Sequence, residues 1–153
     1  YRDRVFGYEK ALKELGLFSH RDLVCWGGPW FEEGAARLKR MLSKNITAIT
    51  GASDCLVHGA VEVFRSWGIS VPEGISAVGL GGSSSPEDRY SMLTTMRVDW
   101  EEMGRQAALR LLMRIEGSGN EDVKLRIPAE LVVKNSCREL KGGEKIKERK
   151  PVG

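Results

Sequence analysis

An α/β fold is predicted by three features of the 153-residue sequence. Apolar residues alternate between helical and extended spacing, in the order α-β-α-β-α-β up to Leu80. The connections are short and carry Gly, Ser, Asp or Pro. The third extended run, Ile75–Leu80, leads into Gly81-Gly82, and loops at the carboxyl ends of strands are where open α/β sheets bind ligands. Together these features call for a parallel sheet with helices on both faces.

The first helix is predicted from about Arg4 to Leu15, with Val5, Phe6, Ala11, Leu12 and Leu15 on one side and Gly16 as its stop. Leu23-Val24-Cys25-Trp26 reads as a short strand in which Cys25 behaves as a small hydrophobe, followed by the loop Gly27-Gly28-Pro29-Trp30. A second helix spans roughly Glu33 to Ser43 and turns Ala35, Leu38, Met41 and Leu42 inward. Ile46–Thr50 is the next strand. Ser53 or Asp54 can cap the helix that follows, whose broad apolar face holds Leu56, Val57, Ala60, Val61, Phe64 and Trp67 before Gly68.

Beyond the third strand the organisation changes. Leu93–Val98 is extended. Asp99, with Glu102 three residues on, forms a capping box for a helix carrying Met103, Ala107, Ala108, Leu111, Leu112 and Ile115, which Gly117 breaks. Val123–Ile127 and Glu130–Lys134 are extended and interrupted by Pro128.

Composition narrows the function classes. Hydrophobic content of 41% suffices for a packed core. No apolar run approaches the ~20 residues that span a bilayer. The opening Tyr1-Arg2-Asp3-Arg4 is no signal peptide, and the chain reads as a piece of a longer one. The net charge of +3 sits in residues 138–153, which carry six basic and three acidic residues; this tail is expected to be disordered. A neutral body with a basic tail is not a nucleic-acid-binding surface. Three cysteines without close pairing suit a reducing, cytoplasmic setting. His20 and His58 stand in no metal-ligand spacing, so no metal or other cofactor is expected.

Several segments, taken in order, resemble the lactose/galactose repressor (LacI/GalR) family of bacterial transcription regulators. Arg4-Val5-Phe6-Gly7-Tyr8 resembles its Arg-x-x-Gly-aromatic helix start, and Thr47-Ala48-Ile49 running into Ser53-Asp54 its strand and Asn-Asp turn. Val71-Pro72-Glu73-Gly74-Ile75-Ser76-Ala77-Val78-Gly79, Leu93-Thr94-Thr95 and Glu130–Ser136 match three further family segments. The resemblance implies a periplasmic-binding-protein-like (type I) fold. Residues 1–137 would be a fragment of the effector-binding and dimerisation domain: its C-terminal subdomain plus a crossover segment and helix, 94–118, that belongs to the other subdomain. The DNA-binding helix-turn-helix would lie outside this chain. The crossover helix, short of its usual partner, would repack on its own subdomain or dock into a second chain.

The resemblance also implies a set of effector-binding positions: Arg4, Trp30, Ser53, Asp54, Gly81, Gly82 and Val98. Arg4 would fork onto hydroxyls or a carboxylate. A bare arginine at a helix N-terminus works against the helix dipole, which itself points to a binding role. Ser53 stands in for the family's Asn, and capping the helix is an equal account of it. Trp30 would lie against a sugar face, with Trp26 or Phe31 as alternatives. Gly81-Gly82 replaces the family's carboxylates, so the cleft is more positive and an anionic sugar derivative is favoured. Val57, Val61, Phe64 and Trp67 would form a homodimer interface.

The sequence thus reads as the effector-sensing and dimerising part of a regulator, with a small molecule as partner and operator DNA reached only through the missing module. A periplasmic-type solute-binding protein is the alternative. No nucleophile elbow supports an enzyme. The glycine loop lacks the sixth-position Gly of the dinucleotide fingerprint, where Ser84 stands.

Overall fold

The computed structural model describes residues 2–17, 21–25, 31–82, 92–118 and 124–140. Trp26, Trp30 and the tail from Lys141 onward lie outside the described residues, and so do the side chains of Phe31 and Ala35. The elements are α1 (Arg2–Glu14), a 3-10 turn (Arg21–Leu23), α2 (Phe31–Leu42), β1 (Ala48–Thr50), α3 (Asp54–Ser66), β2 (Ser76–Gly81), β3 (Thr94–Val98), α4 (Trp100–Ile115) and β4 (Ala129–Val132).

One sheet runs in the order β1-β2-β3-β4. β1, β2 and β3 are parallel, and β4 pairs antiparallel with β3 at the edge. β1, β2 and β3 thus form the expected parallel sheet, to which β4 adds an antiparallel edge strand. β4 follows α4 in the chain and runs back along β3 in the opposite direction.

β2 shows the two-residue period of a strand covered unequally. Ile75, Ala77 and Gly79 are buried, while Ser76, Val78 and Leu80 are half-buried. The buried face meets Val57, Ala60 and Phe64 of α3, and Leu38 and Leu42 of α2 close over the same cluster. On the opposite face Val78 and Leu80 line a cavity together with Val5, Tyr8 and Leu12 of α1. Helices thus cover both faces, as predicted.

Two expected interface residues are core residues instead. Val57 is 1% exposed and Phe64 0%. α3 packs against both the sheet and α2, so it needs apolar residues on more than one side. Val61 and Trp67 are half-buried against the same clusters.

Other expectations fail locally. Leu23-Val24-Cys25 is a 3-10 turn and irregular chain rather than a strand, and Cys25 is exposed, its Sγ 3.2 Å from Met41 Sδ. In α1 the half-buried stripe is Val5, Tyr8 and Leu12, at helical spacing. Phe6 is off that stripe and Leu15 lies past the helix end, so both are exposed. No residue of α4 is buried, and Met103, Leu111, Leu112 and Ile115 remain exposed. That helix has not repacked on its own subdomain.

The chain is closed by a buried hydroxyl. Ser136 Oγ donates to the Ala77 carbonyl at 2.6 Å and accepts from the Thr94 amide at 2.7 Å. Its own carbonyl accepts from the Ala77 amide at 2.8 Å. Thr94 Oγ1 adds bonds to the Lys134 backbone. Arg138, grouped with the disordered tail on sequence, is anchored: its amide donates to Ser76 Oγ at 3.2 Å and its Nε to the Glu73 carbonyl at 3.1 Å.

Asp99 caps α4 as expected, accepting from the Glu102 amide at 2.9 Å. Glu102 turns the other way, onto Arg105 at 2.6 and 2.7 Å and Gln106 at 2.9 Å. The Arg105 hydrogen bonds, then that from Gln106, hold the Glu102 carboxyl down at about 2. Among the described residues no helix is long and apolar enough to cross a membrane, and no three His, Cys, Asp or Glu side chains gather as metal ligands.

Two measurements check this account. Ser136→Ala strands a buried N–H and a buried C=O, and should lower unfolding stability by about 1–3 kcal/mol in urea titrations. Glu102 has a lowered folded-state pKa, so its contribution is present above 4.5 and lost as pH falls toward about 2. Carboxyl NMR titration should place its midpoint near 2, and Arg105→Ala should return it toward 4.5.

Candidate functional site

The carboxyl ends of the three parallel strands bring Gly51–Asp54, Gly81-Gly82 and Val98–Trp100 to one edge of the sheet. Arg4, in the first turn of α1, reaches this edge and donates through a guanidinium nitrogen to the Ala52 carbonyl. Arg4 is exposed, so an oriented cation stands at the mouth of the edge.

Beneath that mouth lies a buried carboxylate. Asp54 Oδ2 accepts from the Gly82 amide at 2.8 Å, and Oδ1 accepts from the Thr95 hydroxyl at 2.7 Å. Asp54 is the first residue of α3, where a negative charge suits the helix dipole. The cap itself is Ser53, whose Oγ accepts from the Leu56 amide at 3.4 Å. Of the two capping candidates Ser53 therefore caps, and Asp54 turns inward to tie α3 to β2 and β3.

The glycines follow from this packing. A Cβ on Gly79 would stand 1.9 Å from Asp54 Oδ1 and 2.8 Å from Leu93 Cδ2. Gly82 has φ +67°, and a Cβ there would stand 2.7 Å from the Arg97 Cα. Gly81 has φ +133°, a conformation that L side chains rarely adopt. A carboxylate at 81 or 82 would thus require a different strand end. The Gly82 amide is committed to Asp54 and is not turned toward a ligand.

The remaining expected positions sit as follows. Val98 closes β3 and is half-buried at the edge. Arg4, Ser53, Gly81, Gly82 and Val98 share that edge, with Asp54 below it. One further residue went unnoticed in the sequence. Trp100 follows the cap Asp99 and donates its indole N–H to the Gly81 carbonyl at 2.7 Å, with 49% of its surface exposed. Its ring borders the glycine end of β2.

The sequence profile of the periplasmic binding protein-like domain matches residues 1–137. The HTH-type transcriptional regulator CelR of Thermobifida fusca is 32% identical over 136 residues, covering 88% of this chain and 40% of that protein. The HTH-type transcriptional repressor CytR of Escherichia coli K12 is 28% identical, covering 90% of this chain and 41% of that protein. The solved structure of a transcriptional regulator CelR–cellobiose complex superposes with TM-score 0.78 at 32% identity, covering 87% of this chain and 41% of that one. The chain thus spans about 40% of the length of the curated relatives it matches. These relatives are regulators rather than enzymes.

The clearance at Gly79 gives a sharp test of the Asp54 lock. Gly79→Ala should destabilise the fold by about 1–3 kcal/mol or more, as an overpacked core does. Combined with Asp54→Ala the two losses should be non-additive, because both act on one contact. Denaturant unfolding of the four members of the cycle measures this.

Proposed function

Since the chain belongs to the periplasmic binding protein-like domain family, as the C-terminal part of an effector domain of the lactose/galactose repressor type, we propose that it is the effector-sensing and dimerising portion of a cytoplasmic bacterial transcription regulator. The observation that carries the proposal is Arg4 held over the carboxyl ends of the parallel strands by its bond to the Ala52 carbonyl. A small molecule docks there, in a cleft whose other wall lies outside this chain. Closure of the cleft shifts the population of two arrangements of a DNA-binding module, also outside this chain, by as much as the ligand prefers one of them.

The ligand is a sugar or sugar derivative. The cellobiose complex of a 32%-identical regulator supports the sugar class. The side chains favour an anionic member of it, a sugar phosphate or sugar acid. Arg4 supplies the guanidinium fork. Gly81 and Gly82 bring no carboxylate, and both Asp54 oxygens accept bonds from inside the protein. Trp100, exposed beside Gly81, offers a ring face to the apolar side of the sugar in the role that sequence gave to Trp30. The homodimer proposal passes from Val57 and Phe64, which are core residues, to the half-buried Val61 and Trp67.

Calorimetric titration of the full-length regulator tests the ligand class. A disaccharide phosphate or a uronate should bind more tightly than cellobiose. Arg4→Ala should weaken the anion by about 10- to 100-fold, the loss of a hydrogen bond to a charged group. Tighter binding of the neutral sugar, with Arg4→Ala without effect, would overturn the anionic reading.

A further inference from the structure

α4 leaves the sheet through one short junction. Val98 ends β3, Asp99 caps the helix with φ −77° and ψ 87°, and Trp100 is the first helical residue. The backbone at Asp99 is outside the helical region, so rotation there re-aims the whole helix. The lever is long, since its 16 residues rise about 24 Å. A turn of about 20° at Asp99 carries the far end, at Ile115, through about 8 Å.

Packing against the sheet does not fix that aim. No residue of α4 is buried, and Met103, Leu111, Leu112 and Ile115 stay exposed. The side chain of Trp100, however, reaches back. Its indole N–H donates to the Gly81 carbonyl at 2.7 Å, and Gly81 ends β2, the strand beside β3. The start of α4 is thus attached at two points, through the backbone to β3 and through the indole to β2. Neighbouring strands lie about 4.8 Å apart. One point of attachment leaves a helix able to swing, whereas two points on adjacent strands fix its direction across the sheet. The accepting carbonyl belongs to a residue at φ +133°, a conformation that suits glycine, so Gly81 serves this bond as well as the strand end.

We propose that the bond from Trp100 to Gly81 is a latch that sets the direction of α4 relative to the ligand edge. Trp100 is a positioning residue: its N–H acts on the helix, while its half-exposed ring borders the edge. A molecule seated against the ring touches the first residue of the lever, so it binds the latched and unlatched arrangements unequally. By linkage, the latch strengthens binding by the same factor by which the ligand favours the latch. The strength of a neutral hydrogen bond places that factor at about two- to tenfold. This coupling rests on the effector-binding role proposed for the edge; the latch itself does not.

The test measures the swing in the full-length regulator without ligand. Every native cysteine, Cys25, Cys55 and Cys137 among them, is changed to Ser. Spin labels go on Arg65→Cys of α3 and Glu116→Cys at the far end of α4, both exposed positions. An excess of unlabelled chain keeps distances between two chains out of the signal. Double electron–electron resonance should give one narrow distance. Trp100→Phe, which keeps a ring and loses the donor, should add a second distance or broaden the first by about 5 Å or more. Replacing the indole by benzothiophene, which puts sulfur in place of N–H at nearly the same shape, should do the same and carries the test if Trp100→Phe does not fold. An unchanged distribution overturns the latch, and so does fast solvent exchange of the Trp100 indole N–H in the unaltered protein, read by NMR. Calorimetry with cellobiose and with a cellobiose phosphate reads the coupling. Whichever of them binds the unaltered regulator should bind the benzothiophene form about two- to tenfold more weakly, although the ring face is kept. Equal binding overturns the coupling. If neither sugar binds the unaltered regulator, the effector-binding role fails, and the distance measurement still decides the latch.

Discussion

The fold depends on one buried carboxylate. Asp54 begins α3 and binds the Gly82 amide at the end of β2 and the Thr95 hydroxyl within β3. A carboxylate taken out of water is costly unless its oxygens are satisfied, so its presence fixes what surrounds it. Position 79 must lack a Cβ, because that atom would overlap Oδ1. The chain at 82 must turn its N–H inward, which it does at positive φ. Position 95 must carry a hydroxyl. With Asp54 turned inward, the capping of α3 falls to Ser53. The family-like segments around Ser53-Asp54, Val78-Gly79 and Leu93-Thr94-Thr95 are therefore parts of one polar lock.

A second hub, Ser136, works on the same two strands nearer the start of β2. It joins Ala77 to Thr94 and holds the closing segment against the sheet. Between the two hubs, Leu93, Thr94 and Thr95 have separate tasks: Leu93 enters the apolar core with Val57 and Ala77, Thr94 meets the closing segment, and Thr95 meets Asp54. All three are buried, so the segment is explained by the fold without a ligand contact.

Local signals were legible and non-local ones were not. Ser76–Gly81, the stops at Gly16 and Gly68, and the Asp99 cap depend on residues a few positions apart, and the structure shows them with small shifts of boundary. The direction of Asp54 depends on Thr95, 41 residues away, and a carboxylate in a turn reads alike whether it faces a ligand or the interior. Val57 and Phe64 seemed surplus to one buried face because the sequence does not show that α3 packs against both the sheet and α2. Leu23–Cys25 carries strand composition, but extended chain becomes a strand only beside another. Trp100 was missed because an aromatic in the first turn of a helix looks like a core residue until its indole is seen on Gly81.

The ligand edge and the open sheet edge meet in α1. This helix carries Arg4 to the strand ends, yet none of its residues is buried. It is tied by the bond to Ala52, and its stripe Val5, Tyr8 and Leu12 borders the cavity beside β1. A guanidinium recognises a ligand well only when its backbone is held before the ligand arrives, since otherwise binding must also order the helix. Whatever fills the space under Val5, Tyr8 and Leu12 therefore governs how firmly Arg4 is presented. The chemistry of the cleft is set by Arg4 and the glycines; its preorganisation is set by the packing beneath α1.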